Sequence, residues 1–188
     1  DDLPIFMSEL DQYGGDKLTQ IAVKFILYTF VRTSELRLAV WDEIDLDGIN
    51  PIWKIPSERM KMNRPHYVPL VPQTVELLSE VKALIDGKDL IFPSQKNIQK
   101  AMSENTLLYA LYRMGYHSRA TVHGFRSTAS TILNESRKWH PDVIERQLAH
   151  VEGNKVRAAY NHAEYLDERR EMMQWWADKL DELKESST

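Results

Sequence analysis

Apolar residues near the start of the chain recur at the spacing of α-helices. The stretch LTQIAVKFILYTF, residues 18–30, is apolar on nearly every face, which predicts a buried helix. Asp16 or Thr19 would cap its N-terminus. TSELRLAV, residues 33–40, predicts a second, short helix. Residues 1–15 are interpreted as a leading segment that closes at the turn YGGD.

The middle of the chain changes to short runs of β-type residues. PIWKIP and HYVPL, residues 51–56 and 66–70, contain β-branched and aromatic residues and are bounded by prolines. The polar and basic stretch SERMKMNR lies between them, so we predict a small antiparallel hairpin or meander with a basic tip. Residues 73–86 return to helical spacing, and DLIFPS, residues 89–94, predicts a short extended piece.

The second half of the chain is predicted to be helical. Its helix-compatible stretches are ENTLLYALYRMG, VHGFRSTASTILNES, PDVIERQLAH and NKVRAAYNH. A longer stretch, residues 165–185, places an apolar stripe on one helical face. That stripe consists of Leu166, Met173, Trp176, Leu180 and Leu183. The chain, residues 1–188, is therefore predicted to be one mainly α domain with a small antiparallel β-sheet.

Composition restricts the available chemistry. The chain has 188 residues, of which 43% are hydrophobic and 28% charged, as in an ordinary globular domain. The absence of cysteine excludes disulfides, thiol catalysis and cysteine-ligated metals. The histidines at 117, 140 and 162 have no partners at metal-ligand spacing, so no metal or other cofactor is predicted. His66 is interpreted as a strand residue, with contact to DNA as an open alternative. The net charge of −4 argues against nucleic acid unless an acidic face masks a basic one.

No apolar run reaches the length of a membrane span. The longest candidate, IAVKFILYTFV, is short and carries Lys24. The first ten residues, DDLPIFMSEL, lack the basic and apolar blocks of a signal peptide. Because the first residue is not methionine, we expect the chain to be part of a longer protein.

Six side chains suited to phosphoryl transfer are distributed along the chain. In chain order they are Arg32, Lys61, His123, Arg126, His150 and Tyr160. Guanidinium forks match the oxygens of a phosphodiester and neutralise the charge that builds on them during displacement. A lysine can protonate a leaving oxygen, a histidine can move a proton, and a tyrosine beside cations can attack phosphorus. Such a set needs no metal, because the arginines supply the positive charge.

Each of these residues has an ordinary explanation when it is taken alone. An arginine after a helix is usually a surface or capping residue, and a lysine in a hairpin tip is usually solvated. The pattern His-x-x-Arg is short enough to occur by chance. A tyrosine near a C-terminal helix usually packs in a core. Only the ordered combination favours catalysis over these explanations.

The ordered combination resembles the catalytic domain of the tyrosine recombinases, the phage-integrase family. The segments that carry the resemblance are FVRTSELRLAVWDEIDL, MKMNRPHYVPL, VHGFRSTASTIL and QLAHVEGNKVRAAYNH. Together they lie within residues 18–183, almost the whole chain. The sequences of these segments most resemble those of prophage integrases of the satellite-phage type. The resemblance implies the tyrosine recombinase catalytic fold, mainly α with a small antiparallel sheet.

The resemblance assigns several residues to holding the scissile phosphate. Arg32 and Arg126 would clamp it between their guanidinium groups. His150 would donate a hydrogen bond to it. Glu35 matches an acidic position that supports the first arginine and the histidine.

The remaining residues would carry out the covalent step. Tyr160 would attack the phosphate and form a 3′-phosphotyrosine, and His123 would act as general base or proton relay. Lys61 would be the general acid for the 5′-oxygen. It is preferred to Arg64 because it stands at the distance from VPL that the family lysine usually has.

The resemblance implies a site-specific DNA recombinase that integrates and excises DNA without ATP or a metal. One alternative is a phosphotyrosine enzyme such as a type IB topoisomerase or a telomere resolvase. A non-enzymatic DNA-binding module and a helical interaction domain are less favoured alternatives. The implied partners are double-stranded attachment-site DNA, further copies of the chain in a tetramer on DNA, and accessory DNA-bending proteins. The implied location is the bacterial cytoplasm, at the nucleoid.

The resemblance also predicts how the chain is organised. Residues 1–188 would be the C-terminal catalytic part of a longer integrase, without its N-terminal DNA-binding domains. The helix over residues 165–185 would dock either on its own domain or on a neighbouring protomer. Trp175 and Trp176 cannot share one narrow helical face, so one of them would remain for a partner. Gly153 would act as a hinge before the tyrosine.

Overall fold

The computed structural model describes residues 2–85, 87, 89–150 and 164–185. Within them the helices are α1 (Leu3–Asp11), α2 (Lys17–Thr29), α3 (Thr33–Arg37), α4 (Pro72–Leu84), α5 (Thr106–Arg113), α6 (Val122–Ser136), α7 (Pro141–Gln147) and α8 (Leu166–Glu185). The strands are β1 (Ile44–Asp45), β2 (Ile52–Ile55), β3 (His66–Pro69), β4 (Pro93–Ser94) and β5 (Asn97–Ala101). The predicted class, mainly α with small antiparallel sheets, is confirmed.

Helix α2 is the central element, as its nearly all-round apolar pattern predicts. Asp16 caps it, because its Oδ2 accepts a hydrogen bond from the backbone N–H of Thr19 at 2.8 Å. The helix packs against α1, α4, α5, α6 and α8. It ends where Phe30 adopts a left-handed conformation with φ of 40° and donates its N–H to the carbonyl of Ile26. This turn redirects the chain into α3.

The first fifteen residues contain a helix that the interpretation as a leading segment omitted. Helix α1 starts with a proline in its first turn, a position that suits the fixed φ of that residue. Phe6, Met7 and Leu10 are buried at helical spacing. The ring of Phe6 packs edge-on against Tyr116 at 4.9 Å between centroids. The spacing is visible in the sequence, but the helix is short and its partners come from distant parts of the chain.

The predicted β-hairpin is present and is extended by one strand. Strands β1, β2 and β3 form an antiparallel sheet in that order. In its register Trp53 faces Val68 and Ile55 faces His66. Alternate residues are buried along β2, as expected for a sheet with one face on the core. The turn between β2 and β3 is the basic tip predicted from the sequence.

A second, two-stranded sheet pairs β4 with β5. The extended piece predicted over residues 89–94 contains β4, whereas β5 was not predicted. Most of β5 is exposed, so its residues lack the alternation of polar and apolar positions that marks a half-buried strand.

Helix α8 folds back on its own chain. It contacts α1, α2, α7 and β3, and Met172, Met173, Trp176 and Leu180 are buried. The indole N–H of Trp176 donates to the carbonyl of Leu27 at 2.9 Å. None of the helices in the described ranges is long and apolar enough to cross a membrane.

Candidate active site

Arg32 is held at the point where α2 turns into α3. It is the N-cap residue of α3 and has an extended backbone. The carboxylate of Glu35 accepts hydrogen bonds from the backbone N–H of Arg32 at 2.9 Å and from its Nη1 at 2.6 Å. Nη2 of Arg32 donates to the carbonyl of Ala149 at 3.2 Å. Glu35 is only 3% exposed, so this ion pair fixes the guanidinium while its outer edge still reaches solvent.

Arg126 is buried and donates to the carbonyl group of Leu148, the residue before Ala149, and to that of Phe30. It lies on α6, whose N-terminus is capped by the side chain of Thr121. Its Nη1 donates to the carbonyl of Phe30, and its Nη2 donates to that of Leu148 at 2.7 Å. Its Nε is buried and has no hydrogen-bond partner among the described residues. The two carbonyl groups therefore fix the orientation of this guanidinium.

The two arginines influence each other through their charges. The pKa of Arg126 is lowered to about 10, chiefly by burial and then by the charge of Arg32. Glu35 and Glu145 oppose this shift. Arg126 therefore remains a cation at neutral pH, and the site brings two positive groups to one place.

The two histidines of the predicted site are exposed. His123 stands one turn before Arg126 on α6, so both residues lie on the same side of that helix. Nδ1 of His150 lies 2.7 Å from Oε2 of Glu145. Glu145 therefore orients the ring, and Nε2 is the nitrogen that would reach a ligand.

Lys61 is exposed at the tip between β2 and β3. The sequence analysis missed the residue that anchors this tip, Arg59. Its Nη2 donates to the carbonyl of Glu35, and its Nη1 donates to the carboxylate of Glu43 and, at 2.6 Å, to the carbonyl of Leu38. The tip is thus attached directly to α3. The signal in the sequence was weak, because Arg59 is only one of several cations in SERMKMNR.

The end of α7 joins the parts of the site. Five consecutive residues each make a contact outside the regular helix: Glu145 with His150, Arg146 with Glu164, Gln147 with Arg169, Leu148 with Arg126 and Ala149 with Arg32. Ala149 has a φ of 50°, a conformation that is uncommon for a residue with a side chain. The carbonyl groups of Leu148 and Ala149 are thereby presented to the two arginines.

His66 is a residue of β3, as the sequence predicted, and its side chain is buried. Burial holds its pKa well below the ordinary value, and the charges of Arg169, Arg146, Arg32 and Arg126 lower it further. His66 is therefore neutral at pH 7, and it lies close enough to all four arginines to be affected by their charges. No pattern in the sequence distinguishes it from a surface histidine of an edge strand.

Tyr160, Gly153 and His162 lie outside the described residues. The described part of the chain contains no group of three or more potential metal-ligating side chains. The geometry accordingly places the positive charges of Arg32 and Arg126 on neighbouring carbonyl groups, with Lys61 on a tip attached to the helix that follows Arg32. Such an arrangement can bind a phosphodiester and stabilise charge on its oxygens.

Comparison with known proteins shows the family to which this chain belongs. The model of the phage integrase family matches residues 1–166. The chain belongs to the phage integrase family. This confirms the resemblance inferred from the ordered motifs.

Relatives of this phage integrase family chain are phage and prophage integrases. It is 49% identical over 193 residues to the integrase of Enterobacteria phage P4, covering 95% of this chain and 44% of that protein. It is 42% identical to the prophage integrase IntS of Escherichia coli K12 and 42% identical to the integrase of Shigella phage Sf6. Each of those two alignments covers 97% of this chain and 47% of the relative. The chain thus spans about half the length of these relatives.

Solved structures share the fold of this phage integrase family chain. The XerH site-specific recombinase bound to difH substrate, in a pre-cleavage complex, matches with a TM-score of 0.64 at 21% identity. That match covers 89% of this chain and 51% of XerH. The Tn1549 transposon integrase in complex with circular intermediate DNA matches with a TM-score of 0.57 at 18% identity, covering 87% of this chain and 61% of that one.

Proposed function

We propose that this chain is the catalytic domain of a site-specific DNA recombinase, a prophage integrase. The observation that carries the proposal is the convergence of Arg32 and Arg126 on neighbouring carbonyl groups at the end of α7. The relationship to phage and prophage integrases supports the assignment of a DNA phosphodiester as the ligand of this pair.

The proposed reaction transfers a phosphoryl group between oxygens. The hydroxyl of Tyr160 attacks phosphorus, its proton passes to His123, and a 3′-phosphotyrosine bond forms as the bond to the 5′-oxygen breaks. Lys61 protonates the departing 5′-oxygen. Arg32 and Arg126 hold the non-bridging oxygens and neutralise their charge in the transition state. His150, oriented by Glu145, adds a hydrogen bond to the same phosphate.

Rejoining reverses these steps with a different strand. The 5′-hydroxyl of the partner strand gives its proton to Lys61 as its oxygen attacks the phosphotyrosine, and Tyr160 leaves with the proton returned by His123. The phosphodiester energy is retained in the protein–DNA bond, so no ATP is consumed. Because the phosphotyrosine retains this bond energy, rejoining to another strand is favoured over simple hydrolysis.

The partners belong to the same proposal. The relatives named XerH and Tn1549 integrase were solved on DNA, which supports double-stranded DNA as the substrate class. We propose that four copies assemble on two attachment sites, with N-terminal DNA-binding domains and accessory DNA-bending proteins, at the bacterial nucleoid. A neighbouring protomer would contact the side of α8 that carries the partly exposed Trp175, since Trp176 is buried.

The test is a covalent capture experiment on the full-length protein. A duplex that carries the attachment-site core, nicked next to the scissile phosphate, should trap a protein–DNA adduct. Tyr160→Phe should abolish the adduct and leave DNA binding intact, whereas Tyr109→Phe, which alters an exposed tyrosine, should have no effect. Arg32→Ala or Arg126→Ala should slow adduct formation by about 100-fold or more. An adduct that persists in Tyr160→Phe would overturn the proposal.

A further inference from the structure

Two parts of the chain that flank residues 150–163 are joined by a bidentate ion pair. Nε of Arg146, on α7, donates to Oε2 of Glu164 at 3.1 Å, and its Nη2 donates to Oε1. Both side chains are about three-quarters buried. A fork-to-fork contact of this kind fixes orientation as well as distance.

A second arginine reinforces this contact from α8. Arg169 is fully buried, and its Nε and Nη2 donate to Oε1 of Gln147 at 3.0 and 2.8 Å. Its Nη1 donates to the carbonyl of Glu164 at 3.2 Å, and its Nη2 also donates to that of Tyr67 on β3. Gln147 in turn donates to the carbonyl of Thr29 at the end of α2. One guanidinium therefore connects α7, α8 and β3.

Burying the guanidinium of Arg169 is unfavourable, so a reason for its burial has to be sought in the contacts that it makes. Burial lowers the pKa of Arg169 to about 9, while the charge of the nearby Glu164 acts in the opposite direction. A leucine or methionine would fill the same space without a desolvation cost. What the arginine adds is directional: it holds Gln147 and Glu164 at fixed positions relative to each other.

Gln147 and Glu164 are both close in sequence to residues of the proposed chemistry. Gln147 directly precedes Leu148 and Ala149, whose carbonyl groups bind Arg126 and Arg32. Glu164 lies four residues after Tyr160.

We propose that Arg146, Gln147, Glu164 and Arg169, named the clasp, are positioning residues for the tyrosine nucleophile. The inference rests on the proposed function, because it assigns the nucleophile to Tyr160. The clasp fixes the base of the tyrosine-bearing segment against the end of α7, which also sets the two phosphate-binding arginines. The end of α7 would thus fix the position of the nucleophile as well as that of the two arginines. Accurate positioning matters, because displacing a nucleophile by about 1 Å costs about 100-fold in rate.

The test separates positioning from general stability by breaking the ion pair and by keeping it in a conservative variant. In the full-length protein, Glu164→Gln and Arg146→Gln each remove it, and Glu164→Asp keeps the carboxylate that pairs with both Arg146 and Arg169. Glu182→Gln is the matched control, because it removes an exposed pair with Lys179 on the same helix. The substrate is the nicked attachment-site duplex, and both binding and single-turnover adduct formation are measured.

Glu164→Gln and Arg146→Gln should each bind DNA as the unchanged protein does but form the adduct about 10- to 100-fold more slowly. Glu164→Asp should retain a large part of the rate, and the control should stay within about twofold. Wild-type adduct rates in both Glu164→Gln and Arg146→Gln would overturn the inference. So would a rate loss in these two variants that is matched by an equal loss in the control.

Amide hydrogen exchange provides a second readout that does not depend on catalysis. In the DNA-free protein, peptides covering residues 150–163 should exchange faster in Glu164→Gln, while peptides of α2 should keep their protection. Unchanged exchange in residues 150–163 would contradict the clasp even if cleavage slowed. If the unchanged protein formed no Tyr160 adduct, the proposed function would fail, and the exchange result alone would decide whether the clasp orders this segment.

Discussion

At the scale of single residues, the site depends on where charges are buried. Glu35 is buried and neutralises part of Arg32, whereas Arg126 is buried and donates to the carbonyl groups of Phe30 and Leu148. Lys61, in contrast, is exposed on a tip. The arginines are thus pre-set to bind an anion, and the lysine is left accessible for proton transfer to a substrate oxygen.

The role of Lys61 can be isolated by changing the leaving group. Lys61→Ala should slow cleavage of ordinary DNA by about 100- to 10,000-fold, as expected for loss of a general acid. A substrate with sulfur in place of the bridging 5′-oxygen should restore most of the rate, because a thiolate leaves without a proton. Arg64→Ala should cleave both substrates normally. Single-turnover rates measure all three effects, and failure of the sulfur substrate to rescue Lys61→Ala would assign the proton to another group.

His66 should make the fold sensitive to acid. Its folded-state pKa lies well below the unfolded value of about 6.5, so the unfolded state binds the proton more readily. Stability contributed by the neutral form is present above about pH 6.5 and is lost as the pH falls below it. The melting temperature of the unchanged protein should therefore drop more steeply between pH 7 and pH 5 than that of His66→Gln. Parallel pH profiles would contradict this prediction.

At the scale of elements, the site is assembled by attaching loops and helix ends to one another. The end of α7 binds both arginines, and the tip between β2 and β3 is attached to α3 through Arg59. Glu43 joins this attachment to the sheet, because its Oε2 accepts a hydrogen bond from the indole of Trp53 at 2.9 Å. Short elements hold the functional residues, and buried ion pairs hold the short elements.

Removal of Arg59 should therefore destabilise the protein. Arg59→Met leaves the carboxylate of Glu43 buried beside Trp53 without its cation, which costs about 3–5 kcal/mol of unfolding free energy for a buried pair. Lys179→Met, which breaks an exposed pair with Glu182, should change stability far less. Urea unfolding followed by tryptophan fluorescence measures both. Equal and small changes would show that Arg59 is replaceable.

At the scale of the whole molecule, α8 closes the domain in cis. Its apolar stripe, predicted from helical periodicity, covers α1, α2 and β3 of the same chain. Trp176 is buried against Phe30, with ring centroids 6.1 Å apart. Trp175 is only partly buried, and the ammonium group of Lys138 lies 5.0 Å from its ring centroid.

Packing in cis predicts a stability that does not depend on protein concentration. Trp176→Ala should lower the unfolding free energy by about 3–5 kcal/mol, as for other buried large residues, and Trp175→Ala should lower it much less. The transition of the unchanged chain should fall at the same temperature when the protein is diluted about 50-fold, because no partner copy contributes. A midpoint that falls on dilution would indicate instead that α8 is exchanged between copies.

Local patterns were sufficient for much of the fold and for the residue types of the site. The polar cap at Asp16, the proline-bounded β runs and the stripe of α8 each depend on neighbours a few residues away, and all three were predicted. The order Arg32, Lys61, His123, Arg126 and His150 was likewise visible in the sequence. Helix α1 and strand β5 were missed, since a short helix and an exposed strand carry little periodicity.

Only the tertiary structure decided which groups meet. The sequence by itself determined the family, the fold class and the candidate residues, because these follow from local periodicity and from ordered motifs. The contacts of Arg59 with α3, of Ala149 with Arg32 and of Arg169 with Gln147 join residues far apart in the chain. A buried arginine and a solvated one look alike in sequence, and burial, which depends on the packing of all the elements, makes the difference between them.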